Sequence, residues 1–286
     1  MTSASERRPV VLGVDTLTPG RMVVAWAADE ADRRRLSLRM VHALPPVSED
    51  PHAFKELRER GDRALDDAAA FARRRHPNLP VATAVKEAAP APLLCRESAH
   101  AALVVLGSRR LNRLEEVLST SSVTVPVSAQ AHCPVVVVRE PEHVTQEPPY
   151  VVVGVDGSPS SGAAVDFAFD LAERRQAALR AVWVWQSHLD GHVDEGATVQ
   201  TLRRRLGETT AGRRAVHPDV TLTHEVIRGH PVEELAKASE HALAVVVGRR
   251  GRGGFTGMRL GSVPHGLLHR AHCPVVTVPS APGGGR

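Results

Sequence analysis

The chain has 286 residues, enough for two domains of ordinary size, and 42% of them are hydrophobic, enough to build true cores. Its net charge of +4 and isoelectric point near 9.4 would attract polyanions, but acidic residues are interspersed with the arginines along most of the chain, so nucleic-acid binding is not expected. No run of about 18 uncharged apolar residues occurs, and Met1–Arg8 leads into a strand without a hydrophobic signal region, so a cytoplasmic protein with no membrane association is expected.

The first strand is read at Pro9-Val10-Val11-Leu12-Gly13-Val14-Asp15 and the second around Arg39-Met40-Val41-His42. A later strand, Leu103-Val104-Val105-Leu106-Gly107, empties into a loop, and Ala131-His132-Cys133-Pro134 leads into a last apolar run, Val135–Val138. Glu140–Pro149 is polar and proline-rich with no apolar periodicity, and reads as a linker. The series then begins again. Tyr150-Val151-Val152-Val153-Gly154-Val155-Asp156 answers the first strand, Arg180-Ala181-Val182-Trp183 the second, and Ala244-Val245-Val246-Val247-Gly248 the later one, all at an offset of 141. Ala271-His272-Cys273-Pro274-Val275-Val276 closes the copy at an offset of 140, so one residue has been lost or gained in the loop before it. Two domains are expected, 7–140 and 149–279, followed by a Gly- and Pro-rich tail that has no means of burying itself.

In the second copy, helical periodicity runs over Ser160–Gln176, Gly196–Ala215, Pro231–His241 and Ser262–Ala271; in the first of these, Ala164, Phe167, Ala168 and Leu171 recur at spacings of three and four. Strands alternating with helices imply an α/β fold: two tandem, doubly wound, five-stranded parallel sheets with right-handed crossovers. Ligands of such sheets sit beyond the carboxyl ends of the strands, where the strand order reverses. Asp156 ends the first strand of the second copy and Gly248 opens the loop after the fourth, so both are expected at that crevice, with the turn Ile227–Pro231 closing a third side.

The loop itself, Gly248-Arg249-Arg250-Gly251-Arg252-Gly253-Gly254, is followed by Gly261-Ser262-Val263-Pro264. Glycines allow close approach of backbone N–H groups to a phosphate, and Ser262 before Pro264 reads as the capped first turn of a helix, whose N-terminus favours negative charge. A glycine- and arginine-rich surface loop is the alternative for Gly251–Gly254 alone; the spacing to Gly261-Ser262 favours the anion site. No G-x-x-x-x-G-K-[S/T] occurs, and no G-x-G-x-x-G follows either first strand, which disfavours P-loop phosphoryl transfer and dinucleotide redox chemistry.

Gly248, Gly251 and the Gly261-Ser262 pair form a G-x2-G-x9-G-[S/T] pattern that resembles the ATP-binding branch of the universal stress protein family. Val153–Ser158 is similar to that family's opening strand and turn, and Gly229-His230-Pro231 to its third-strand exit. The resemblance spans both halves and is to the tandem, actinobacterial type. It implies strand order 3-2-1-4-5, an adenine-nucleotide alpha-hydrolase-like fold, and ATP, with or without Mg²⁺, as ligand. It further implies Asp156 and Val184 on the base side, Gly229 at the third-strand exit, and Gly248, Arg250, Gly251, Gly253, Gly254, Gly261, Ser262 and Val263 around ribose and phosphates. In the family the final strands mediate contact between domains, so pairing of the two halves is expected, and a homodimer is compatible with it.

The first copy departs from the pattern. Gly107 is kept, but Arg110 stands at the second glycine, Ala88 replaces Gly229, and Thr120-Ser121 or Ser121-Ser122 replaces the Gly-Ser pair. Asp15, Gly107, Ser121 and Ser122 are its remaining candidates, and one competent site per chain is expected. Asp15 and Asp156 each also read as strand-end residues bonding their own turn.

Cys95, Cys133 and Cys273 are too few and too scattered for a disulfide framework and read as core residues. His265, His269, His272 and Cys273 suggest a zinc cluster, but Val125 and Ala129 stand where the first two histidines fall in the other copy, and no metal site is expected. Trp183 and Trp185 read as packing residues. No nucleophile–base–orienter set is recognisable, so binding is favoured over catalysis. The leading expectation is an ATP-binding stress or dormancy regulator; a slow ATPase or nucleotide hydrolase and a scaffold without nucleotide are the alternatives.

Overall fold

Each valine-rich run becomes a strand because β-branched side chains pack well on a pleated surface, and within each unit successive strands are joined by helices that return the chain to the same end of the sheet. A computed structural model describes residues 8–16, 20–45, 51–109, 123–140, 143–186, 195–252 and 259–280. The chain divides into two compact units, Met1–Glu142 and His143–Arg286.

The first unit runs β1 (Val10–Gly13), α1 (Arg21–Arg34), β2 (Leu38–Leu44), α2 (Pro51–Arg75), β3 (Val81–Glu87), α3 (Pro90–Ser98), β4 (Leu103–Arg109), α4 (Thr124–Gln130) and β5 (Val135–Glu140). Its strand order is β3-β2-β1-β4-β5, with every pairing parallel. The second unit runs β6 (Tyr150–Gly154), α5 (Pro159–Arg174), β7 (Ala178–Trp185), α6 (Glu195–Thr210), α7 (Arg213–Val216), β8 (Leu222–Arg228), α8 (Pro231–Ala238), β9 (Ala244–Gly248), α9 (Ser262–Arg270) and β10 (Val275–Val278). Its order, β8-β7-β6-β9-β10, repeats the first, again wholly parallel. Both are therefore 3-2-1-4-5 sheets, and the order reverses direction beside β1 and beside β6.

Burial follows position in the sheet. Val151, Val152, Val153, Val245 and Val246 at the centre of the second unit are fully buried, whereas no residue of β8 is fully buried and three are exposed, as suits an outer strand with polar positions. Helix α5 covers the sheet with Ala164, Val165, Ala168, Phe169 and Leu171, all fully buried. Burial pushes the Cys133 thiol up to about 12; Cys273 is buried too, and Cys95 is half-buried.

One local reading is corrected. The single helix read over Gly196–Ala215 is broken into α6 and α7 at Gly212, whose φ of +79° is a left-handed conformation that suits glycine. Residues 143–149 of the segment read as a linker carry no helix or strand, and part of them is bonded to the rest of the second unit: His143 Nε2 lies 2.7 Å from Ala242 O and the Gln146 N–H donates to His241 O at 3.0 Å. The tail residues 281–286 lie outside the described residues. Among the described residues no helix is long and apolar enough to cross a membrane.

Candidate functional site

The crevice of the second unit opens where β6 and β9 end. Gly154 pairs with Val182; Asp156 lies in the turn two residues beyond β6, and Val184 lies two residues further along β7, paired with Ile227. Asp156 Oδ1 accepts the Ser158 N–H at 2.9 Å, the expected strand-end turn, and its Oδ2 accepts the Arg252 N–H at 3.0 Å. Residues 96 apart in sequence are thereby joined at the mouth of the crevice. Gly157 takes φ +75°, and a Cβ there would lie 2.9 Å from Trp183 Cη2, so the indole forms the floor under this turn. The next residue, Ser158, caps α5 by accepting the Ser161 N–H at 3.1 Å.

The start of the glycine loop is held by α5. Ser160 Oγ accepts the Arg250 N–H at 3.4 Å, and Ser158 Oγ donates to Arg250 O at 3.5 Å. A Cβ on Gly248 would fall 2.6 Å from Ser160 Oγ and 2.7 Å from Ser160 C, so this glycine admits the helix against the strand. The loop's neck is closed by the Gly261 N–H donating to Arg249 O at 2.9 Å. Burial, and then the charge of Arg250, hold the Arg249 guanidinium below its ordinary value. Arg250, Gly251 and Arg252 are exposed. Gly253 and Gly254 lie outside the described residues.

The N-cap of helix α9 lies one residue before the expected Ser262. It is Gly261, which supplies no side-chain hydrogen bond, and Ser262 is the first helical residue. The His265 N–H bonds back to Gly261 O at 3.1 Å, Pro264 has no N–H, and among the described residues the N–H groups of Ser262 and Val263 have no partner. Two orphan donors and the positive end of a nine-residue helix therefore point out of the loop's neck. Gly261 has an ordinary φ of −70°, and a Cβ there would meet nothing among the described residues closer than 3.5 Å. The fold of the described residues gives no reason for glycine at 261.

Gly229 follows β8, its N–H donating to Trp185 O at 3.0 Å, and a Cβ there would lie 2.7 Å from the Glu234 side chain folded over it. In the first unit Ala88 takes the same place, its N–H donating to Leu44 O at 2.9 Å. Gly107 differs from Gly248: among the described residues a Cβ would meet only the Val23 side chain of α1, at an ordinary van der Waals distance of 3.5 Å, and no backbone. Asp15 is exposed at the end of β1, while Ser121 and Ser122, like Arg110 and Thr120, lie outside the described residues.

Sequence reasoning missed Ser158, Ser160 and Glu234. The Ser158-Pro159 pair, a capping residue before a proline at the first helical position, was the available signal for Ser158; Ser160 and Glu234 show only in three dimensions. The His265 and His269 rings lie 4.7 Å apart and tilted, and burial, then the charge of His269, lowers the His265 pKa. Among the described residues no group of three or more His, Cys, Asp or Glu side chains converges as a metal site.

A profile described as the universal stress protein family matches residues 6–139 and 150–279. The chain belongs to the universal stress protein family. Universal stress protein Rv2623 of Mycobacterium tuberculosis is 34% identical over 292 aligned residues, which cover 96% of this chain and 98% of the relative. Universal stress protein Rv2005c of the same organism is 33% identical with the same coverage. This is thus a tandem universal stress protein related to mycobacterial ones. Among solved structures, a universal stress protein from Archaeoglobus fulgidus matches with a TM-score of 0.72 at 18% identity, covering 96% of this chain and 97% of the other. That likeness is one of fold, the adenine-nucleotide alpha-hydrolase-like fold.

Proposed function

We propose that the second unit binds an adenine nucleotide, ATP, with its phosphates at the N-terminus of α9 and its base toward Asp156 and Val184. The observation that carries this reading is the neck of the loop: among the described residues the Ser262 and Val263 N–H groups lack partners, and nothing there requires glycine at 261. An anion approaching the backbone there supplies both the missing acceptor and the reason for the missing Cβ. Arg249 and Arg250 add positive charge at the same corner, and Mg²⁺ enters only as the nucleotide's own counter-ion.

The reading is of a binding protein, a cytoplasmic stress or dormancy regulator in which nucleotide occupancy biases how the two halves, or two copies of the chain, associate through their final strands. Gly261→Asp places a carboxylate where the phosphates would lie, and repulsion together with lost backbone approach is expected to abolish ATP binding. Calorimetric titration of wild type and variant, with released phosphate measured in parallel, checks it. Binding without turnover in the wild type, and neither in the variant, is the expected result; turnover that vanishes with the variant would make the protein a nucleotide hydrolase instead.

A further inference from the structure

The family resemblance places the aspartate after the first strand against the base. In the structure both carboxylate oxygens of Asp156 are engaged by the protein's own backbone, Oδ1 by the Ser158 N–H at 2.9 Å and Oδ2 by the Arg252 N–H at 3.0 Å. One donor lies at the start of α5 and the other in the loop after β9, so a single side chain clasps the loop to the helix. Gly251 completes the clasp. A Cβ on it would lie 2.7 Å from Asp156 Oδ2, and the only other described atom within 4 Å is Cγ of the same carboxylate. The second glycine of the loop pattern therefore has an internal reason, which is to seat this carboxylate, and needs no phosphate to explain it.

Hydrogen bonds from backbone N–H to a carboxylate are charge-assisted and stronger than neutral ones. They act here on a stretch that would otherwise be loose, since Arg250, Gly251 and Arg252 are all exposed and the Ser158 and Ser160 contacts to Arg250 are long, at 3.5 and 3.4 Å. Ordering such a stretch only when ligand arrives would cost affinity; ordering it beforehand removes that cost. We propose that Asp156 is a positioning residue that holds the loop after β9 against α5, with Gly251 as the seat of its carboxylate, and that it acts on nucleotide binding through the loop rather than by selecting the base. The effect on binding rests on the nucleotide reading above; the clasp itself does not.

The test uses the full chain. Asp156→Asn keeps size but leaves one acceptor oxygen for two N–H donors, and Gly251→Ala, at an exposed position, displaces Oδ2 without touching the core. Affinities for ATP and for inosine triphosphate, which lacks the 6-amino group, are measured for wild type, both single variants and the double variant, alongside limited trypsin digestion with fragment masses. Each single variant is expected to lose about ten-fold or more in affinity, with the ratio of the two nucleotides unchanged and the double variant no worse than the singles, because both substitutions break one device. Trypsin is expected to cut after Arg250 and Arg252 faster in every variant, with cleavage elsewhere unchanged. A loss seen with ATP and absent with inosine triphosphate would assign Asp156 to the base and overturn the proposal, as would additive losses or unchanged loop cleavage. If the wild type binds neither nucleotide, the nucleotide reading fails, and the trypsin pattern alone decides the clasp.

Discussion

Gly248, Gly251 and Gly261 share one motif and differ in what surrounds them. A Cβ at 248 would run into the backbone of Ser160, which cannot swing aside as a side-chain end can. Gly248→Ala is expected to cost about 1–3 kcal/mol of stability through overpacking, whereas Gly261→Ala is expected to melt close to wild type while binding ATP more weakly; paired thermal melts and titrations check both. The pattern of glycines was legible from the sequence, and so was their spacing. What each glycine accommodates was not, because the neighbour is 88 residues away for Gly248 and 95 for Gly251, and nothing in a linear pattern states which atoms meet. The reading of all three as phosphate contacts survives without a competing internal cause only at Gly261.

At the scale of elements, strand runs and amphipathic periods sufficed to place the sheets and the helices around them, and the repeat supplied an internal check that a single domain lacks. Boundaries followed local chemistry that the period does not carry, such as the left-handed Gly212 between α6 and α7 and the N-cap of α9 at Gly261 rather than at Ser262. Partner choice was also hidden. The equivalent arginines Arg39 and Arg180 bond Glu97 on α3 and Glu225 on β8, respectively. Helix α1 is tied to the end of α2 by Asp29, which takes hydrogen bonds from Arg75 and pairs with His76 at 2.7 Å. Burial pushes the Asp29 carboxyl up, but the hydrogen bonds of Arg75 and His76 and the charges of Arg75 and Arg33 outweigh it, so the folded pKa lies below the ordinary 3.8. A depressed carboxylate stabilises the fold above its unfolded pKa, and that contribution is lost as pH falls through the folded value. Asp29→Asn is therefore expected to lower the melting temperature at neutral pH, with the gap to wild type closing as the pH is taken below 3.8; melts across that range test it.

The whole molecule carries two units of one fold whose candidate sites differ. Among the described residues the second unit has a loop bonded to Asp156, a helix pressed on Gly248 and N–H groups without a partner at Ser262 and Val263. In the first, Gly107 has only ordinary van der Waals contact with Val23, and Ala88 stands at the third-strand exit. A tandem chain of this kind retains the scaffold twice and, in the proposed reading, the nucleotide site once. The most direct measurement is the number of ATP molecules bound per chain, by calorimetry on wild type and on Gly261→Asp. One per chain, falling to none in the variant, is the predicted result; two per chain, or binding that persists undiminished in the variant, would contradict the account.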